Sequence, residues 1–81
     1  MYLDEVKTAL LNAGVYVEDD DFSAELKIGD LIEDSLTLIS FLIEIEDTFS
    51  IVIPEETYTL NLNEFSLNKL ITDIIQPNVA K

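Results

Sequence analysis

The sequence predicts an all-α protein: a small four-helix bundle with a long loop between helices one and two and a short third helix. Three observations carry that prediction. Apolar residues recur at helical spacing in three separate segments. A glycine or proline stands near the end of each segment. Finally, 81 residues, 48% of them hydrophobic, suffice for one packed domain over residues 1–81 and no more.

In the first helix Leu3, Val6 and Leu10 form a stripe that Ala13 continues, and Gly14 sits where a C-terminal cap belongs. Residues 15–34 have no sustained period and carry the run Glu18-Asp19-Asp20-Asp21. Phe22, Leu26, Ile28 and Leu31 are expected to pin this long loop to the core, with a short helical turn after Asp21 and a bend at Gly29. The second helix is expected over about 35–49, and Pro54 ends any extension because it disfavours a helical Ile53. Residues 55–65 are weakly patterned, with room for one short helix. Ser66 is the expected cap of the last helix. Its buried face is Leu67, Leu70, Ile71, Ile74 and Ile75, and Pro77 is expected to stop it.

Composition narrows the function. Seventeen acids against four basic residues give a formal net charge of −13. Nothing in such a chain replaces counterions on nucleic-acid phosphates or is drawn to an anionic membrane. A basic protein surface would be steered towards it, although plain solubility explains the charge as well. With no cysteine and no histidine, the chain lacks a disulfide framework, a thiolate metal site and the usual general base. An enzyme is therefore not expected. The start Met1-Tyr2-Leu3-Asp4-Glu5 has acids where a secretory signal needs basic residues. The longest nearly apolar stretch, residues 36–43, is too short to span a bilayer. Both features point to a cytoplasmic protein.

The second helix repays reading as a surface. At about 100° per residue, Leu38, Leu42, Ile45 and Phe49 fall on one side with Phe41 at its margin, an ordinary core face. Leu36, Ile39 and Ile43 form a second stripe, flanked by Ser40, Glu46 and Asp47, with Ser35 at its N-terminal edge. Either the long loop or the short helix covers this stripe, or it is an exposed patch rimmed by carboxylates. Ser35 is open to two readings also. It is the helix N-cap, or Asp34 caps and the serine hydroxyl is left to solvent.

From Asp30-Leu31 through Asp34-Ser35-Leu36 to Phe49 and the Ile-x-Ile-Pro of residues 51–54, the chain resembles an acyl carrier protein. That family includes fatty-acid, polyketide, peptidyl and D-alanyl carriers. The resemblance implies that Ser35 receives 4′-phosphopantetheine from coenzyme A, placed there by a separate magnesium-dependent phosphopantetheinyl transferase, and that Asp34 helps present it. The thiol of that arm would carry an acyl or aminoacyl group as a thioester. Loading and transfer enzymes with basic docking surfaces would read Leu36, Ile43, Glu46 and Asp47, and Ile39 belongs to the same stripe. No residue is expected to be catalytic or to hold a metal, and the protein is expected to be a monomer.

Two positions depart from the family: Ile32 stands where a glycine is common, and Ser40 where fatty-acid carriers are typically acidic. The cargo is left open by them, and Ile32 is free to pack inward. The rival reading is a non-enzymatic acidic adaptor that binds a basic partner without carrying an arm. A calcium site at Glu18–Asp21 is set aside, because the alternating ligands and central glycine of an EF-hand loop are missing.

Overall fold

The computed structural model describes residues 2–79, which are mostly helical, with no strand among them beyond one isolated bridge between Lys27 and Ser66. Helix α1 (Tyr2–Asn12) buries Val6, Ala9 and Leu10. Asp4 and Glu5 lie in its first turn, where negative charge favours the helix dipole. Its end is a Schellman motif. Gly14, at φ +90°, donates to the Leu11 carbonyl at 3.0 Å, and Val15 N–H reaches the Leu10 carbonyl at 2.9 Å.

The long loop is held at several points. Lys7 pairs with Asp19, and its ammonium lies 5.4 Å from the centroid of the Phe22 ring. Backbone bonds from Leu67 to Leu26 and from Asn68 to Ala24, both 2.8 Å, join the loop to the last helix. Helix α2 (Ile28–Leu31) follows: the short helical turn expected after Asp21 lies here, around Gly29, where the sequence suggested a bend. Gly29 lies inside this turn because the backbone of residue 63 passes close by. A Cβ on Gly29 would stand 2.9 Å from the Asn63 carbonyl oxygen.

Helix α3 spans Ser35–Phe49, as expected. Phe41, Leu42 and Ile45 are wholly buried, while Leu38 and Phe49 are half-buried. Phe41 therefore sits within the core face rather than at its margin, on a helix that packs against α1. Ser50 in the left-handed conformation (φ 55°) terminates the helix before Pro54 is reached. Residues 51–53 then alternate, Ile51 and Ile53 inward and Val52 outward.

In place of one short helix there are two 3₁₀ turns, Glu55–Thr59 and Leu62–Glu64. The last helical run opens at α4 (Leu67–Leu70), where Ser66 Oγ accepts the Lys69 N–H at 3.1 Å. It passes through a π-helical stretch (Ile71–Ile75) and continues as α5 (Gln76–Val79). Leu67, Leu70, Ile71, Ile74 and Ile75 are buried as expected. Pro77 does not stop the helix. Its ring would collide with the carbonyl four residues back, at Asp73, but that carbonyl lies in the widened π turn. Helix α1 packs against α3 and α4, and its Tyr2 ring meets Phe49 edge-on at 5.5 Å. The start of α1 is thereby placed at the end of α3, and Ser35 at the opposite end of the pair.

Candidate functional site

The site begins with how the chain enters α3. Ile32 is buried and extended (φ −126°, ψ 119°), with its N–H bonded to the Ile28 carbonyl at 2.9 Å. Anchoring there turns Glu33 and Asp34 out to solvent. Ile32 thus packs inward.

Asp34, itself extended, accepts the Thr37 N–H on its carboxylate at 3.1 Å and is the N-cap. Hydrogen bonding from the Thr37 side chain, and then from its backbone, holds the Asp34 carboxyl below the ordinary aspartate range. Ser35 is consequently the first helical residue and is exposed. No histidine exists to activate its hydroxyl, and no cluster of metal-ligating side chains occurs among the described residues. A group attached at Ser35 would lie at the positive end of a 15-residue helix, with Asp34 and Glu33 opposing a negative charge there.

On one flank of Ser35 the second stripe is open. Leu36, Ile39 and Ile43 are 75%, 44% and 46% exposed, so neither the loop nor the 3₁₀ turns cover them. Asp47 and Ser40 are exposed beside them. Glu46 has a different placement. It is half-buried, and its Oε2 accepts the Ile53 N–H at 2.8 Å. Its backbone carbonyl also takes the N–H groups of Ser50 and Ile51. This carboxylate secures the segment after α3 as well as contributing charge.

Tyr58 was not anticipated from the sequence. It is exposed on its 3₁₀ turn, and its phenol is pushed above the ordinary range, first by partial burial and then by the charge of Glu46. Its only sequence signal is an aromatic in a weakly patterned stretch. Val52 and Leu60 are exposed too; for Val52 the alternation across residues 51–53 was a usable sign.

On the other flank, an open groove of about 460 Å³ runs between Tyr16, Leu31, Glu33, Asp34 and Thr37. A roomier groove of about 530 Å³, by Tyr2, Leu3, Ile71 and Thr72, lies at the far end of the α1–α3 pair and takes no part in this site.

No helix among the described residues is long and apolar enough to cross a membrane. In comparisons with known proteins, no family model, no curated protein and no solved structure matches this chain.

Proposed function

We propose that this chain is a carrier protein. Ser35 would be esterified with 4′-phosphopantetheine, and partner enzymes would load and unload acyl or aminoacyl groups on that arm in fatty-acid, polyketide or peptide-type biosynthesis. The observation that supports it best is the division of labour between Asp34 and Ser35. Asp34 spends its carboxylate on the Thr37 amide, which leaves the neighbouring hydroxyl exposed at the edge of an exposed apolar patch.

The residues present fit such an arm. Nothing occludes Ser35, and an attached phosphodiester would meet the N-terminus of α3. In the attachment step the Ser35 oxygen forms a bond to the phosphorus nearest the pantetheine half of coenzyme A. Adenosine 3′,5′-bisphosphate would leave, and the hydroxyl proton would pass to a base of the phosphopantetheinyl transferase, which would also supply magnesium. When bound, the arm supplies a thiol, which a chain without cysteine lacks. The chain's own contribution is presentation, because a tethered group has a high effective concentration at each partner. Within this reading the helices form a four-helix carrier bundle, monomeric and cytoplasmic. Its partners carry basic docking surfaces that meet Leu36, Ile39, Ile43 and Asp47.

The test is intact mass after incubation with coenzyme A, magnesium and a broad-specificity phosphopantetheinyl transferase, with Ser35→Ala alongside. Gain of one phosphopantetheine by the parent and none by the variant is the expected result. No gain, under conditions that modify a known carrier and with other transferases tried, favours the acidic adaptor.

A further inference from the structure

A second exposed apolar feature lies across Ser35 from the α3 patch. Leu11 is 58% exposed at the end of α1, and Tyr16 is 75% exposed just beyond the Gly14 cap. Between them Leu10, Val15 and Val17 help to line a shallow groove of about 120 Å³, with Lys7, held by Asp19, at its edge. That is somewhat less than the ~150 Å³ of a cavity known to hold benzene, so it suits one aliphatic side chain. Tyr16 also borders the groove beside Glu33 and Asp34, so a single body could span from Leu11 to the doorstep of Ser35. Thr37, on that side, is roughly 130° around α3 from the centre of the Leu36–Ile39–Ile43 stripe. The two features are separate surfaces.

The surrounding charge selects the occupant. Directly after Val17 come Glu18, Asp19, Asp20 and Asp21, all exposed, and of these Asp19 is paired with Lys7. Glu33 and Asp34 close the other side. A second copy would bring the same acids face to face, at a net charge of −13 for each chain. Nucleic acid and anionic lipid are repelled in the same way. We infer that the Leu11–Tyr16 groove is a docking contact for a basic protein segment that inserts one aliphatic side chain between lysines or arginines, on the flank of Ser35 opposite the α3 patch. A partner using both surfaces would straddle Ser35; that last step rests on the carrier reading, whereas the groove itself does not.

The probe is a short helical peptide of lysine and leucine, titrated at low salt into the ¹⁵N-labelled full chain. Amide shifts are expected to concentrate at Leu11, at residues 15–17 and in the run from Glu18. Leu11→Ser with Tyr16→Ser should weaken binding at that locus roughly tenfold, so that those shifts need about ten times more peptide, while shifts along α3 are unchanged. Both side chains are exposed, so the double variant should keep the parent's helical signal. Shifts confined to α3, shifts that follow charge alone and titrate identically in the double variant, or self-association through the groove would each overturn the inference. The peptide needs no arm, so failure here is distinct from failure of Ser35 to gain mass.

Discussion

Glu46 Oε2 accepts the backbone N–H of Ile53 at 2.8 Å, which ties the last turn of α3 to the Ile51–Ile53 segment seven residues on. A hydrogen bond from a half-buried amide to a charged acceptor is worth about 1–2 kcal/mol once solvent access is allowed for. Glu46→Ala should therefore lower the unfolding free energy by about that amount, and Glu46→Gln, which keeps an acceptor oxygen, by less. Both substitutions should also lower the Tyr58 pKa without restoring its ordinary value, because burial rather than the Glu46 charge is the leading cause of the shift. Denaturant melts and a spectrophotometric tyrosine titration would check this. Asp47 is exposed and has no such bond, so Asp47→Asn should leave stability within about 0.5 kcal/mol. Its effect on a basic partner should be larger at low salt than at high salt.

Ile43 and Phe41 sit two residues apart on α3 with opposite fates. Ile43→Glu places a carboxylate where the side chain is already half in water, and should shift stability by no more than about 0.5 kcal/mol. Loading or transfer by a partner that reads the patch should fall. Phe41→Ala opens a cavity in the core and should cost about 3–5 kcal/mol, a large part of what a domain this size has. Circular dichroism melts of the two variants separate the roles, and an Ile43→Glu protein that unfolds would reassign that residue to the core.

Replacing glycine by alanine within a helix usually stabilises by about 1 kcal/mol. Gly29→Ala should do the reverse. The new methyl would stand 2.9 Å from the Asn63 carbonyl oxygen and 3.0 Å from its Cβ, so either α2 or the Leu62–Glu64 turn must move. Crowding of that kind costs about 1–3 kcal/mol. The measurement is a urea midpoint, and a rise in it would mean that the two turns are not in contact.

This contact also marks where sequence reading stopped. Helix α3 could be delimited from Asp34-Ser35 at one end and Phe49 at the other, and the last helix from Ser66 and its five buried residues, because each has a cap and a full apolar period. Helix α2 has four residues, too few for a period, and its place is set by residues far along the chain: Ile28 N–H bonds to the Phe65 carbonyl at 2.9 Å. Pro77 misled for a similar reason, since the π stretch that makes room for it has no local signature in Ile71–Ile75. At the site, the cap was legible as a choice between Asp34 and Ser35. The engagement of Glu46 with Ile53 was not, because it needs the αL turn at Ser50 to fold the chain back.

The Asp34 cap sets the pH behaviour of the α3 entrance. Its carboxyl is held below the ordinary aspartate value of about 3.9, so its stabilising contribution is complete above that value and is lost as the pH falls through the lowered folded one. Elsewhere the sign is opposite: protonating other carboxylates of a chain with net charge −13 relieves repulsion. Mild acid should therefore raise global stability while the first turn of α3 stays closed, and only stronger acid should loosen that turn. The Thr37 amide reports it directly. Its hydrogen-exchange protection and chemical shift should change with a midpoint below about 3.9, and that step should vanish in Asp34→Asn, which keeps a capping oxygen but cannot titrate. A midpoint at or above the ordinary value would show that the carboxylate does not hold the cap, and the exposed position of Ser35 would then need another cause.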